Sequence, residues 1–455
     1  MSMDKARYHA EYHSKINSIT LSVQVPQSGV TCRIGPQAVD LIPAIQPGLD
    51  FDAIQQQGTI DKLVLPARVM PTRTTLDPST SHSNLLSLKM TALPNMPLET
   101  SLSTLSLASS SEFPSSPLPA SQLQGLENLA CGSCGNVLLN STSNSTTTTT
   151  STQGPIQRVV DLPSEHWQEL VDCWMCHEED FTELREGDLG ARLGQALVGG
   201  TYLLIHAKDV DHEAVMIEED ARSVDWKRTT TSFTAIGQKE SRGVGVRLHV
   251  RDACLQSAKA DLEMIQVKFH KYLVRYHGKH EQKSLTIPRQ RFPSYVATEI
   301  FESARHHATY RFIIQDRLQG RDMLLLWMLN WDTTVVTNQE PLQDNQLSWD
   351  DSLRMDLNTT SSGRGKKVMK VVYLCAVPED QDQKQQQNGV YSKELKVWDQ
   401  WRGDPGVERL EFQERLVLGL IGMLEQSSSC TPPGLNGAAS AVMAMDGMRV
   451  GSFEI

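Results

Sequence analysis

The chain has 455 residues, 39% hydrophobic and 21% charged, with a formal net charge of −11, a pI near 5.7 and a mean hydropathy of −0.34. That length allows two or three domains, or one large core with insertions, in an otherwise ordinary globular composition diluted by polar tracts. The acidic average argues against whole-surface attraction to nucleic acid or anionic membrane, and the most apolar runs, 323–329 and 416–424, fall far short of the roughly 20 residues that span a bilayer.

The first residues, M-S-M-D-K-A-R-Y-H, contain no apolar core of a secretory signal, so no export signal is expected. The Asn-Ser-Thr sequons at Asn140 and Asn144 then carry no expectation of a glycan. Residues 1–93 read as a β-rich segment. Residues 16–25 (I-N-S-I-T-L-S-V-Q-V) alternate apolar and polar until Pro26, 60–69 hold a second candidate strand and 85–93 a third. Residues 94–122 are Ser, Leu and Pro with almost no charge, and 140–154 are a Ser/Thr/Asn run with five consecutive threonines. Neither can bury enough apolar surface to offset the entropy of ordering, so both are expected to be disordered inserts, the second inside a zinc-binding segment at 123–206.

Residues 162–177 form the best-defined helix expected from the sequence, with Pro163 suited to its first turn and Ser164 to its cap. Trp167, Leu170, Val171 and Trp174 follow an i, i+3, i+4, i+7 stripe, while Cys173 and Cys176 fall on another side of the same wheel. Residues 196–206 look like a turn into a buried strand. The last segment, 207–455, reads as α/β. A charged, helix-prone stretch covers about 253–276, and a helix opens at Pro293-Ser294. Strands follow at 310–315, 323–329 and 368–375, then a Gln-rich loop at 379–388. One long helix is expected over 407–424, before a short β-like end at 448–455. The fold class expected is α+β, a β-rich N-terminal part and an α/β C-terminal part joined around a zinc knuckle.

Four of the eight cysteines, Cys131, Cys134, Cys173 and Cys176, fall into two C-x-x-C pairs, and Gly135 follows the first pair as in a knuckle turn. Zinc takes four tetrahedral ligands, with Zn–S near about 2.3 Å, and two such pairs supply them. The 38 residues between the pairs exceed the usual spacing of about 15–20. The low-complexity run accounts for the excess, because a longer flexible loop raises closure cost only logarithmically. Core cysteines and a redox dithiol are the alternatives, and the pairs lack a thioredoxin-like βαβ setting. Four thiolates leave no open coordination position, so the Zn(2+) expected here is structural and not catalytic. His177 either joins the site or simply ends the helix.

The segment L-P-S-E-H-W-Q-E-L-V-D-C-W-M-C-H, 162–177, resembles the signature of the HECT-like ubiquitin-ligase family that binds a ubiquitin-conjugating enzyme, and C-G-S-C-G at 131–135 is similar to that family's upstream zinc pair. Weaker likenesses run through 8–25, 197–206, 324–332 and 447–455. The resemblance implies ligase activity, with a conjugating enzyme, ubiquitin and a client protein as partners, and a cytoplasmic or nuclear location. It also implies a link in some members to pre-mRNA 3′-end processing, where a non-enzymatic scaffold or chaperone is the alternative. A thioester mechanism needs an exposed, activated cysteine. Cys430, in S-S-S-C-T-P-P, is the candidate by expected loop exposure, but no acid, base or cation lies near it in sequence. Cys375 reads as buried and inert, and Cys32 and Cys254 have no supporting context. The missing activated nucleophile favours a ligase that acts by positioning.

Trp167 and Trp174 are either partner anchors or core residues of the zinc helix, and their stripe favours the core. Residues 268–283 interleave bases with aromatics, for which a solvated helix face is expected over RNA contact. His270, His277 and His280 lack the companions of a metal site, and Gly363–Lys367 lacks the spacing of a phosphate loop. No Gly-x-Ser-x-Gly or His-Glu-x-x-His is present, which argues against the common hydrolase and zinc-protease classes.

Overall fold

The computed structural model describes residues 6–24, 30–43, 61–75, 85–93, 117–132, 135–139, 156–162, 191–211, 215–217, 232–237, 246–250, 264–280, 283–287, 292–317, 319–338, 365–376, 391–430 and 447–455. The chain divides into two compact units. The first is Met1–Pro114 with His307–Ser348 and Asp356–Ile455, and the second is Ser115–His306 with Trp349–Met355. The α+β class expected from the sequence is the one observed.

The first unit begins with an antiparallel hairpin of β1 (Arg7–His13) and β2 (Ser18–Gln24), in register from Arg7↔Gln24 to His13↔Ser18. A second, four-stranded antiparallel sheet follows, from β3 (Val30–Ile34), β4 (Ala38–Pro43), β5 (Asp61–Val64) and β6 (Thr72–Thr75), in the order β5-β4-β3-β6. Strand β7 (Leu85–Thr91) then returns to pair with β2. Period-two alternation decides the packing. Tyr8, Ala10, Ile19, Leu21 and Val23 share one buried cluster with Cys32, Ile34, Val39, Leu41 and Leu63 of the small sheet. Each large aliphatic side chain buried there contributes about 1.5–3 kcal/mol. The three strands expected in this region are present. Strand β1 was not expected: its sequence alternates, but the face that carries His9 and Glu11 is buried and not solvated.

The second unit contains β8 (Leu126–Cys131), β9 (Arg158–Asp161), β10 (Gln195–Val198), β11 (Tyr202–His206), β12 (Val215–Ile217), β13 (Ser232–Gly237), β14 (Val246–Val250), β15 (Met264–His270), β16 (Val274–His280) and β17 (Lys283–Ile287), followed by helix α1 (Phe292–His307). Seven strands make a sheet in the order β12-β13-β14-β15-β11-β10-β9, antiparallel except for β9 beside β10, and β17-β16-β8 make a three-stranded sheet. The last residues of the Ser/Leu/Pro tract are packed here: Leu118 and Ala120 are buried, and the Ala120 amide donates to Asp161 Oδ1 at 2.7 Å.

The helix expected up to residue 276 is instead β15, a short turn and β16 from residue 264 onward. Val267 and Phe269 are buried, whereas the Lys268 ammonium lies 3.6 Å from the centre of the Tyr202 ring. Val274 and Tyr276 are buried and Arg275 is exposed. Charges at every second position are the polar face of a strand, and the expected solvated helix face at 268–283 is corrected with them. The helix opening at Pro293-Ser294 is found as α1, which buries Tyr295, Val296, Ala297 and Ile300. The expected helix at 162–177 lies, beyond residue 162, outside the described residues.

The chain then completes the first unit with β18 (Arg311–Asp316), β19 (Asp322–Thr337), β20 (Lys366–Cys375), helix α2 (Tyr391–Gly403), β21 (Val407–Phe412), helix α3 (Glu414–Cys430) and β22 (Arg449–Glu454). The 16-residue β19 is the frame of the sheet. One of its edges carries β20, and its other edge is shared, Asp322–Trp327 pairing with β18 and Thr333–Thr337 with β1. The first and last thirds of the chain therefore build one eight-stranded sheet. Over part of it, Trp398 and Trp401 of α2 pack with Ile313, Leu325, Val372, Leu374 and Val450.

The single helix expected over 407–424 is corrected to a strand and a helix. In V-E-R-L-E-F, Val407, Leu410 and Phe412 are buried and the strand pairs in parallel with β18. Asp316 Oδ1 then accepts the Glu414 amide at 3.1 Å, which caps α3 and fixes where the helix starts. Helix α2 was not expected at all. Gly447 closes the approach to β22 with φ +90°, and a Cβ there would sit 2.8 Å from the Glu394 side chain. Gly447→Ala is expected to cost about 1–2 kcal/mol, read as a lower denaturation midpoint with an unchanged slope.

Candidate functional site

The first thiol of the C-x-x-C motif ends β8. Cys131 is 1% exposed and pairs with Val274 of β16. The chain then turns sharply: the Gly132 amide donates to the Leu273 carbonyl, the Gly135 amide to the Cys131 carbonyl at 3.0 Å and the Cys131 amide to the Asn136 carbonyl at 2.8 Å. Gly135 takes φ +73°, a conformation open to glycine with little cost. The one described thiol of the motif, Cys131, is buried close to a glycine in the left-handed conformation, a placement compatible with a single zinc ligand. Cys134, Cys173, Cys176, Trp167 and Trp174 lie outside the described residues. Among the described residues no group of three or more His, Cys, Asp and Glu side chains is placed to hold a metal ion. A Cβ on Gly135 would have open space around it, so Gly135→Ala is expected to cost only the left-handed backbone term, about 1–2 kcal/mol. Gly135→Asn should cost less, because asparagine tolerates that conformation; thermal melts of the two variants check the order.

The candidate nucleophile is not in a loop. Cys430 is the last residue of α3. The serines before it remain helical because Ser427 Oγ donates to the Leu424 carbonyl at 2.9 Å and Ser429 Oγ to the Gln426 carbonyl at 2.7 Å, satisfying groups that a polar terminus leaves open. Cys375 ends β20, and burial, with Glu425 adding to it, pushes its thiol up to about 12. Cys32 lies fully buried between the two sheets, where burial again pushes the thiol up to about 12. Cys375 is half-buried, not buried as expected, although its surroundings disfavour the thiolate. Cys254 lies outside the described residues.

A charged cluster on β1 escaped sequence reasoning. His9, Glu11 and His13 share one face of the strand, as residues two apart must. Glu11 accepts from His9 Nε2 at 3.1 Å and from His13 Nε2 at 3.4 Å, while the Lys370 ammonium donates to both of its oxygens at 2.9 and 2.7 Å. Burial pushes the Glu11 carboxyl up, but the two imidazoles and Lys370 together outweigh it and hold the group well below the usual carboxylate range. H-A-E-Y-H in a strand was the available signal. In the second unit, Lys271 is fully buried and its ammonium donates to the carbonyls of Pro117 and Leu118 at 2.8 and 2.9 Å and of Gly200 at 3.3 Å. His270 stacks near Tyr272 with ring centroids 5.2 Å apart. No helix among the described residues is long and apolar enough to cross a membrane.

The family described as HECT-like ubiquitin-conjugating enzyme (E2)-binding matches residues 11–440. Among curated proteins, an E3 ubiquitin-protein ligase of Mus musculus is 24% identical over 326 residues, 70% of this chain and 72% of its own. The protein of the same name from Homo sapiens is 21% identical over 343 residues, 74% of this chain and 73% of its own. No solved structure matches.

Proposed function

The chain belongs to the HECT-like, ubiquitin-conjugating-enzyme-binding family, and on that premise we propose that it is a ubiquitin-protein ligase, which binds a charged conjugating enzyme and promotes ubiquitin transfer to a client protein. The observation that carries this reading is the extent of the family match, which takes in segments of both compact units. The relatives named as ligases support it at low identity over most of their length. Structural zinc held by Cys131, Cys134, Cys173 and Cys176 is part of the proposal, as is a cytoplasmic or nuclear setting. The zinc would fix the turn after β8 and take no part in the chemistry. Supporting it are the burial of Cys131 and the glycine-closed turn.

Reconstitution with a panel of conjugating enzymes, ubiquitin and activating enzyme is the test. Faster discharge of at least one charged enzyme is the expected result, and no stimulation of any of them removes the activity claim. A second reading, a non-enzymatic zinc-stabilised scaffold for a client such as a pre-mRNA 3′-end-processing factor, is favoured by the burial of Cys32. It would give a stoichiometric client on affinity capture and no discharge.

A further inference from the structure

Polar groups sealed inside a protein are nearly always paired, and an unpaired one asks for a ligand. The large sheet of the first unit turns two of them into one hollow. Strands β1, β19, β20 and β22 lie side by side there. On one face His9, Glu11, Thr333, Lys370 and Ser452 line the hollow, and valines and a glycine complete its wall. It encloses about 230 Å³ with its open mouth included, and its floor admits a body about the size of one water molecule. His9 is 6% exposed and Thr333 0%. Neither His9 Nδ1 nor Thr333 Oγ1 has a hydrogen-bond partner among the described residues. The charge around them is lopsided. Glu11 is the one carboxylate lining the hollow, and each of its oxygens already accepts from Lys370 and from one imidazole. Lys370 has three donors and spends two on Glu11, so one remains.

We propose that this hollow binds one small monovalent anion of the halide class, held by the Lys370 ammonium, His9 Nδ1–H and the Thr333 hydroxyl. Charge-assisted donors of this kind make the strongest hydrogen bonds to an anion. An ion as large as sulfate or phosphate does not fit the floor. The bound ion ties β1 to β19 and β20, and so joins the first strand of the chain to its last third. Because His9 Nε2 faces Glu11, Nδ1 donates only when the ring is an imidazolium. Binding therefore takes up a proton and tightens as pH falls. The groups facing His9 are Glu11 and His13 on its own strand, Ser22 from β2, Thr333 and Thr337 from β19, Lys370 from β20 and Ser452 from β22. Only Glu11, His13 and Lys370 among them ionise near neutral pH or carry charge there. Glu11, held well below the usual carboxylate range, stays ionised across the imidazole range. The site is independent of the ligase reading.

The experiment is thermal unfolding of the full chain with sodium chloride replacing sodium gluconate at fixed ionic strength, at pH 6 and pH 8. Gluconate is also monovalent and too large to enter. At ten times its dissociation constant, chloride should raise the folding equilibrium constant about tenfold, a rise of about 3–6 °C in the midpoint. The rise should be larger at pH 6 than at pH 8. Thr333→Val exchanges the hydroxyl for a methyl group of the same shape. It should melt in gluconate no lower than wild type and lose most of the chloride response. His9→Gln, which has no second ring nitrogen, should lose the difference between the two pH values. A crystal soaked in bromide should show an anomalous peak beside Lys370 and Thr333. Equal midpoints in the two salts at both pH values overturn the proposal. So does a chloride response that both variants keep in full, or a bromide-soaked crystal with water alone in the hollow.

Discussion

Glu11→Ala is expected to destabilise the first unit by about 2–4 kcal/mol. The carboxylate has 8% of its side chain exposed and is the shared acceptor for Lys370, His9 and His13. Its removal strands a cation beside β1. The full cost of breaking a buried pair is about 3–5 kcal/mol; here it is reduced because the Lys370 side chain keeps 19% exposure and can turn to water. Glu11→Gln keeps two acceptor or donor positions and should lose less. The pH dependence follows from the direction of the shift. A carboxyl held below its unfolded value stabilises the fold fully above that unfolded value, and the contribution disappears as pH falls through the lower folded value. Wild type should therefore show a steeper acid loss than Glu11→Gln, with the two curves converging at the acid end. Urea midpoints between neutral pH and about pH 3, with hydrogen exchange of the β1 and β20 amides, measure this. Equal acid slopes in both proteins would remove the role assigned to Glu11.

Elements whose cause is local could be read from the sequence, and elements whose cause is distant could not. Strand β2 shows itself because Ile19, Leu21 and Val23 alternate with Thr20 and Ser22, and α1 shows itself through Pro293 at its first turn. Strand β1 has the same periodicity, but its polar face is buried, and His9, His13 and Lys370, the last 359 positions from Glu11, together make that tolerable. Strand β21 was read as the first turns of a helix because Val407, Leu410 and Phe412 suit either periodicity. What settles the matter is β18, which supplies the parallel ladder and, 98 positions before Glu414, the Asp316 cap. Lysines at 268 and 271 and Arg275 read as a solvated face until Tyr202 is seen under one ammonium and three carbonyls around another. The candidate metal site follows the same division. Its turn was legible from Cys131-Gly-Ser-Cys134-Gly135, and the hydrogen bond from Gly132 to Leu273, just before β16, was not.

Removing zinc is the perturbation expected to matter most. If the two thiol pairs share one ion, the purified chain should contain about one equivalent, released by a thiol-modifying mercurial and absent from the Cys131→Ser, Cys134→Ser double variant. Structural zinc in small fingers is worth about 10–16 kcal/mol. The effect here should be smaller, because β8 is already paired to β16 along its length and the connection between the pairs is long. A loss of about 4–5 kcal/mol corresponds to a fall of roughly 10–15 °C in the melting temperature of a unit of this size. The loss should grow toward acid pH, since protons compete with the ion for thiolates. Amides of β8 and β16 should lose protection from exchange under chelation before those of β19 and β20, whose pairing is internal to the other unit. Chelation that leaves both the melting temperature and the protection of β8 unchanged, in a protein that binds no zinc, would show that the four sulfurs do not converge.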